Sequence, residues 1–364
     1  MKITNVKVHI LKPAGPFIRL RENKPPQQWQ FNVVQVITDE GIDGAVFAWY
    51  GRARILAEAV MERKPLLIGM DPLDRELLAE AMNLHFGFPH AGSYLDMCLW
   101  DIAGKAAGVP VYKLLGAYRH KIRAFAATHW YPTIQHFVDL VLRAKEKGYT
   151  ACKLGSFADV DKDIALCRAV RKAAGDSFDL MLDPFNRYDR QQALKLGRVL
   201  EELNFLWFEA PIPDDDIEGY VDLTRSLDMQ IAGTEGILGG LRAYTPYVAR
   251  GAVDPSREGR TVGDVMGGIT TMKKVTTLCE AFGLKVAPHS FGPTTVQAAH
   301  LHVMLSAKNC DMVEVPFPEE PFDIGMNDLI RPDKDGFVHA PTKPGLGYEI
   351  DWDTVRELTT EIVE

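Results

Sequence analysis

The stretch ACKLGSFADVDKDIALCRAVRKAAGDSFDLMLDPF, residues 151–185, decides the fold. It opens with a short apolar run, continues through an amphipathic segment at 160–174 and ends in a second apolar run that leads to Asp183. A strand, a helix and a strand in this order are typical of a βαβ unit with parallel strands. The sequence therefore predicts that residues 151–185 form one unit of an α/β architecture.

The same alternation of β-rich runs and helical segments extends along the chain in both directions. Amphipathic segments at 189–203 and 270–282 continue it after Asp183. The strand candidates, in chain order, are RAFAATH, ACKLGS, DLMLDPF, LWFEAP, QIAGTEG, GAVDPS (251–256), KVAPHS and MVEVPF. Eight β-then-α units over about 200 residues predict a parallel (β/α)8 barrel of the TIM type. A doubly wound sheet is the alternative, but no glycine-rich phosphate loop follows a strand.

The N-terminal third of the chain has a different pattern, which predicts a smaller α+β domain. Strands are expected at 2–10 and 31–38, on either side of a proline-rich loop at 14–30, and residues 53–116 are expected to be helical. The chain becomes proline-rich again after about residue 318. We therefore expect three parts, namely a capping domain at 1–120, a barrel at 121–320 and a C-terminal segment at 321–364 that packs back on the capping domain.

Composition excludes several classes of function. The 364 residues carry a net charge of −8, which argues against nucleic-acid binding because phosphate contacts need a basic face. No run of about 18 apolar residues is present, so no membrane association is expected. The N-terminus MKITNVKVHIL alternates like a strand and lacks the apolar core of a signal peptide. The 5 cysteines are scattered without a CxxC motif, which together with that N-terminus predicts reduced thiols and a cytoplasmic location.

Three successive strand candidates end in a carboxylate, namely Asp183, Glu209 and Glu235, with equal separations of 26 residues. One βα unit has about that length, so the three side chains are expected at the same height on neighbouring strands. Carboxylates this close repel each other, and a hard divalent cation relieves the repulsion. Oxygen-only ligation without nearby cysteine or histidine favours Mg²⁺. The sequence therefore predicts a magnesium site.

Taken together, these motifs resemble the enolase superfamily in its mandelate racemase/muconate lactonizing enzyme-like branch. The resemblance covers nearly the whole chain. Besides the three carboxylates, it rests on LDMCLWDIAGKAAGVPVYKLLG (95–116), GGIT (267–270), PHSFG (288–292) and PGLGYEID (344–351). The resemblance implies that Asp183, Glu209 and Glu235 bind Mg²⁺ and that the ion holds the carboxylate of a small-molecule substrate. It also implies that a base removes the α-proton next to that carboxylate.

The resemblance implies roles for Lys153 and His289. Family members often carry Lys-x-Lys at the end of the second strand, where the second lysine is usually the base on one face of the substrate. This chain has Lys153-Leu154-Gly155, and Gly155 has no side chain that could take a proton. We therefore expect Lys153 to stabilise charge on the substrate carboxylate. His289, in the matched PHS, is the expected base, since a neutral imidazole accepts a proton near pH 7.

The group that orients His289 is less well defined by the sequence. In the family it is an aspartate from the sixth strand, but this segment is about three residues longer than usual in this chain. Asp264 is our choice, with Glu258 and Asp254 as alternatives. At the end of the eighth strand, Glu314 could hydrogen-bond the substrate carboxylate or protonate an enolate.

Two groups of residues are expected to bind substrate. After the third strand come Asn186 and Arg187. The resemblance implies that the loop at 14–30 is a lid that contacts the distal end of the substrate, with Arg19, Arg21 and Trp29 as candidates. Two arginines that lie two residues apart suit a hydroxylated or acidic tail.

The missing second lysine separates the candidate functions. A racemase or epimerase needs bases on both faces of the α-carbon, whereas a dehydratase needs one base and an acid for the departing β-hydroxide, and a single histidine can do both. We therefore expect an acid-sugar dehydratase that forms a 2-keto-3-deoxy acid. A racemase, an epimerase or a lactone cycloisomerase is the alternative, and a non-catalytic metal-binding barrel is a second one. By resemblance, the protein is expected to be a homo-oligomer.

Overall fold

A computed structural model describes residues 1–12, 30–49, 53–83, 89–233, 237, 240–252, 260–261 and 268–364. The first sheet is antiparallel and has the strand order β13-β1-β2-β3. Its strands are β1 (Ile3–Leu11), β2 (Asn32–Thr38), β3 (Gly44–Ala48) and β13 (Thr359–Val363). The last strand of the chain thus pairs with the first, with Val8 opposite Val363. The helices that accompany this sheet are α1 (Ala53–Leu67), α2 (Arg75–Asn83), α3 (Pro89–Ala106) and α4 (Val111–Leu114).

The second sheet consists of parallel strands that alternate with helices. The strands are β4 (Lys121–Thr128), β5 (Ala151–Gly155), β6 (Asp179–Asp183), β7 (Trp207–Glu209), β8 (Gln230–Gly233), β9 (Arg260–Thr261), β10 (Lys285–Val286) and β11 (Met312–Phe317). The helices between them are α5 (Ile134–Glu146), α6 (Val160–Ala174), α7 (Arg190–Glu202), α8 (Ile217–Ser226), α9 (Gly240–Arg250), α10 (Gly268–Ala281) and α11 (Thr294–Leu305). After β11 come β12 (Phe337–His339), which pairs with the start of β4, and α12 (Trp352–Leu358). Within the described ranges, no helix combines the length and the apolar character that crossing a membrane requires.

The two ends of the parallel sheet meet and close a barrel. Hydrogen bonding runs in the order β10-β9-β8-β7-β6-β5-β4-β11. Beyond β10, the Ser290 hydroxyl donates to the Glu314 carbonyl in β11 at 2.7 Å, and the Val286 N–H donates to the Asn309 carbonyl at 3.0 Å. The seventh and eighth strands are therefore neighbours, and the carboxyl ends of all eight strands surround one mouth.

Local signals explain why residues 151–185 fold as one βαβ unit. The residues of β5 are buried, as expected for a parallel strand that is covered on both sides. The Asp159 carboxylate accepts the backbone N–H groups of Asp161 and Lys162 and so caps the start of α6. That helix buries an apolar face that includes Leu166 and Val170. β6 then lies parallel to β5, with Gly155 opposite Asp183.

The predicted fold class is confirmed, since the chain forms a parallel α/β barrel and an antiparallel capping sheet made of its first three strands and its last strand. The predicted sixth strand at 251–256 is wrong at its first two residues, and residues 253–256 lie outside the described part of the chain. Residues 251 and 252 end helix α9 and do not begin a strand. Gly251 takes a φ of +70°, and the Ala252 N–H donates to the Tyr247 carbonyl. The sixth strand that the structure describes is Arg260–Thr261. The boundaries placed at residues 120 and 320 stay predictions.

A buried carboxylate connects the capping helix α3 to the barrel helix α10. Asp96 accepts the Thr270 N–H at 3.0 Å and the Thr270 hydroxyl at 2.5 Å, and Trp100 Nε1 donates to the same hydroxyl at 2.8 Å. The first N–H groups of a helix have no partner within the helix, so this carboxylate serves as an N-terminal cap from another part of the chain. Burial raises the pKa of Asp96 to about 6, although the bonds from Thr270 oppose that rise.

We expect Asp96→Ala to lower the free energy of unfolding by about 2–3 kcal/mol, because it leaves the buried donors of Thr270 without an acceptor. Since the pKa of Asp96 is higher in the folded than in the unfolded state, its contribution to stability is largest at low pH and falls as the pH rises through about 6. The difference between wild type and variant should therefore be larger at about pH 5 than at about pH 7.5. Urea unfolding at both pH values measures it.

Asp161→Ala is the matched control, because Asp161 is an exposed carboxylate in the first turn of α6. We expect it to change stability by less than about 0.5 kcal/mol. Equal losses for the two variants would show that the bonds from Thr270 to Asp96 do not stabilise the fold.

Candidate active site

The ammonium group of Lys153 lies among three carboxylates at the mouth of the barrel. Its Nζ contacts Glu209 Oε1 directly, lies 2.9 Å from Glu314 Oε1 and lies 3.5 Å from Asp183 Oδ2. The four residues come from β5, β6, β7 and β11, and each is at most 5% exposed. Strands 2, 3, 4 and 8 of the barrel therefore bring these side chains to one buried point, and the roles predicted for them stay predictions.

Among the residues that the structure describes, the charges at this point do not balance. Asp183, Glu209 and Glu314 bring three carboxylates, and Lys153 brings one ammonium. When all four groups are ionised, the negative charges exceed the positive ones by two. Unbalanced charge is costly in a buried site, because like charges about 4 Å apart repel by about 4 kcal/mol even at an effective dielectric constant of about 20. A divalent cation with oxygen ligands suits this excess.

The third predicted metal ligand, Glu235, lies outside the described residues. Within the part of the chain that the structure covers, no group of three or more histidine, cysteine, aspartate or glutamate side chains has the arrangement of a complete metal site. Asp183 and Glu209 are therefore the two predicted ligands that the structure describes, and their role in metal binding stays a prediction. The oxygen-only donor set and the excess of negative charge fit Mg²⁺.

Both of these carboxylates are oriented by hydrogen bonds. The indole N–H of Trp207 donates to Glu209 Oε2 at 2.7 Å. The backbone N–H of Phe185 donates to Asp183 Oδ1 at 2.9 Å. In each case the bond occupies one oxygen, while the other oxygen is the one that approaches Lys153. Groups that hold a ligand in this way fix its orientation before a cation arrives.

The predicted base His289 lies beside Glu314. Its Nε2 is 3.9 Å from Glu314 Oε2, and the imidazole is 8% exposed. Burial tends to raise the pKa of Glu314, but the Lys153 ammonium, His289 and the Ser290 N–H together hold that pKa below its usual value. Glu314 is therefore ionised near neutral pH and belongs to the same charged group as Lys153.

Gly155 lies where no side chain fits. A Cβ on this residue would lie 2.6 Å from the carbonyl oxygen of His129 and 2.9 Å from its carbonyl carbon. Both are backbone atoms at the end of β4, so they cannot swing away as a flexible side chain could. The Gly155 N–H also donates to Thr128 Oγ1 at 3.2 Å. The end of the first strand therefore occupies the space in which a second lysine would begin.

The other predicted site residues have different outcomes. Asn186 donates to Asp214 Oδ2 at 3.2 Å, and Arg187 is exposed. These two observations do not test whether Asn186 and Arg187 bind substrate, and this role stays a prediction. The remaining candidates, namely Asp264, Glu258 and Asp254 from the sixth strand region and Arg19, Arg21 and Trp29 from the lid loop, lie outside the described residues.

Sequence reasoning missed an aromatic group at the mouth of the barrel. We call it the mouth cluster, and its members are Trp49, His129, Trp130, Phe185 and Phe291. Trp49 follows the capping strand β3, and the other four follow barrel strands 1, 3 and 7. The rule that identified the carboxylates, a polar residue at a strand end, also applies to His129 in RAFAATH and could have found it.

Two family models match this chain. The model of the mandelate racemase/muconate lactonizing enzyme N-terminal domain matches residues 18–116. The enolase C-terminal domain-like model matches residues 136–354, which is more than half of the chain.

Individual proteins show the same similarity over nearly the full length. The chain is 30% identical to L-talarate/galactarate dehydratase of Salmonella typhimurium over 361 residues, which cover 93% of this chain and 85% of the relative. It is 29% identical to D-galactarolactone cycloisomerase of Agrobacterium fabrum over 391 residues, which cover 98% and 99% of the two chains.

A solved structure extends the similarity to the fold. D-glucarate dehydratase from Agrobacterium tumefaciens, complexed with magnesium, superposes with a TM-score of 0.85 at 30% identity and covers 99% of this chain and 100% of its own. Because both domain models match and the relatives align over nearly the full length, the chain belongs to the mandelate racemase/muconate lactonizing enzyme branch of the enolase superfamily.

Proposed function

We propose that this protein is a Mg²⁺-dependent acid-sugar dehydratase, which removes the α-proton of a hydroxylated carboxylate and eliminates the β-hydroxyl group to give a 2-keto-3-deoxy acid. One observation carries the choice of reaction: the backbone of His129 fills the space next to Gly155, so the second strand has no room for a second base. Relatives that are named as dehydratases of galactarate and galactonate support the substrate class.

In this proposal Asp183, Glu209 and Glu235 would hold Mg²⁺, which when bound supplies positive charge to the carboxylate of the substrate. Lys153 adds a second positive charge beside the same carboxylate. The negative charge that leaves the α-carbon collects on the carboxylate oxygens, so a fixed ammonium stabilises the transition state more than the bound substrate. The Trp207 indole keeps Glu209 oriented while this charge develops.

His289 is the proposed base. Its imidazole lies at the edge of the charged group, 3.9 Å from Glu314, which is ionised and favours the protonated imidazole once the α-proton has been taken. Glu314 also accepts the backbone N–H groups of Ser290 and Phe291, at 3.0 and 3.2 Å, and these bonds keep the carboxylate beside His289. From the eighth strand, Glu314 thus places a negative charge beside both the base His289 and the ammonium of Lys153.

A lactone cycloisomerase is the second candidate, and the 29% identity to D-galactarolactone cycloisomerase over 98% of this chain favours it. The first half of the reaction is shared, because both start with removal of an α-proton beside a carboxylate. The two differ in the leaving group, which is a hydroxyl group in one case and a ring oxygen in the other. A homo-oligomeric state is proposed on resemblance alone, and a cytoplasmic location on the 5 scattered cysteines without a CxxC motif.

We expect wild-type protein with Mg²⁺ to form a 2-keto acid from at least one member of a panel of open-chain aldonic and aldaric acids. Product is measured as the semicarbazone by absorbance, and α-proton exchange is measured by NMR in D2O. Exchange without a keto product would select a racemase or epimerase, and turnover of lactones alone would select the cycloisomerase. If the protein catalyses neither α-proton exchange nor keto-acid formation with any of these substrates, the proposed function is contradicted.

The two proposed catalytic groups should fail in different ways. His289→Asn should abolish both product formation and α-proton exchange, because no group remains to take the proton. Lys153→Ala should lower the turnover rate by about 100- to 1,000-fold, raise KM and still permit slow exchange, because it removes only charge stabilisation. NMR in D2O, with the acid that the wild type dehydrates, measures the α-proton exchange in each variant.

Controls for this comparison are His339→Asn and Lys172→Ala, which change an exposed histidine of β12 and an exposed lysine of α6. Both should keep wild-type rates. Thermal melting shows whether Lys153→Ala stays folded after it loses a buried cation. If Lys153→Ala abolished exchange while His289→Asn kept it, the assignment of the base would be reversed.

A further inference from the structure

We propose that His129 is a second catalytic histidine, which gives a proton to the departing β-hydroxyl group. The inference rests on the proposed dehydration and changes one part of it, because it divides between two residues the work that a single His289 would otherwise do. His129 directly follows β4, the first strand of the barrel. Its carbonyl fills the space at Gly155, so the strand end that excludes a second lysine is the one that brings an imidazole to the mouth.

The His129 ring lies between opposite sides of the mouth. It packs edge-to-face on Phe291 at 4.6 Å between ring centroids and lies nearly parallel to Phe185 at 6.4 Å. Phe185 lies two residues after Asp183, just beyond the end of the third strand. Phe291 lies two residues after His289, beyond the end of the seventh strand. Strands three and seven face each other across an eight-stranded barrel. A side chain from strand one that contacts both sides therefore lies across the mouth, where the substrate has to enter.

His129 and His289 both lie beside the ring of Phe291, and the proposal requires the α- and β-carbons of one substrate to lie between the two imidazoles. The ring of Phe291 lies 4.6 Å from the His129 ring and 6.4 Å from the His289 ring, between centroids. Both imidazoles are nearly buried, at 5% and 8% exposure. An imidazole at this position can give a proton to a leaving group, which a phenyl ring could not.

The step balances without another reactant. His289 accepts the α-proton, and the electrons of the C–H bond form the double bond between the α- and β-carbons. The bond from the β-carbon to oxygen breaks, and the leaving oxygen takes a proton from protonated His129 to become water. The enol then tautomerises to the 2-keto acid. Before the next turnover His289 releases its proton to solvent and His129 takes one up, so that no net proton is gained or lost.

The test separates loss of the acid from loss of packing. His129→Phe keeps an aromatic ring in the mouth cluster but cannot give a proton. We expect it to lower water elimination from the acid that the wild type dehydrates by about 100- to 10,000-fold, while α-proton exchange in D2O continues through His289. With the β-fluoro analogue of that acid, whose fluoride leaves without a proton, the variant should eliminate at close to the wild-type rate. His129→Gln serves as the second variant if His129→Phe does not fold.

His339→Gln is the control, since this exposed histidine pairs with Lys121 at the opposite end of β4. It should keep the wild-type rates of water elimination, α-proton exchange and fluoride release. Undiminished water elimination by His129→Phe or His129→Gln would overturn the inference, as would equal losses of exchange, fluoride release and water elimination. If the wild type forms no keto acid and releases no fluoride, the proposed function falls and the inference falls with it. A wild-type dehydratase that does not need His129 would contradict the inference alone.

Discussion

The contact between one buried ammonium and three carboxylates is the interaction on which the rest of the site depends. Lys153 on β5 reaches Asp183 on the neighbouring strand β6 and reaches Glu209 and Glu314 on strands two positions away, and all four side chains are shielded from water. Removing the ammonium from such a group leaves the buried carboxylates uncompensated and costs about 3–5 kcal/mol. Within the described part of the chain the group has more negative than positive charge, which a further cation would balance. The need for charge balance thus connects the stability of the barrel mouth to its chemistry.

The barrel supplies the positions that this charge group requires. Parallel strands in register bring Gly155 opposite Asp183, and the hydrogen bond from Trp207 fixes Glu209. The close approach of the His129 carbonyl to Gly155 then removes one choice of chemistry, because a base cannot be placed at that strand end. The same approach brings an imidazole and an aromatic surface to the mouth. One backbone contact therefore both excludes the family's second lysine and offers a different proton donor.

The sequence predicts the parts of the molecule that follow from regular geometry. The spacing of Asp183 and Glu209 could be read because a strand, a loop and a helix have a nearly fixed length. The position of the sixth strand could not be predicted in this way, since its described part, Arg260–Thr261, is too short to show a periodic pattern. The absence of a lysine at 155 was visible in the sequence, but the reason for it was not. Whether a neighbouring backbone fills that space depends on how strand ends pack, and residues far apart in the chain decide this.

Magnesium binding measured by calorimetry tests the central claim most directly. The excess of negative charge predicts that wild type binds one Mg²⁺ per chain and that Glu209→Gln, which removes one charge and keeps the shape, weakens binding at least about tenfold. Glu202→Gln, which changes an exposed glutamate at the end of α7, should bind like wild type. No binding to wild type, or equal affinity in wild type and Glu209→Gln, would contradict the account.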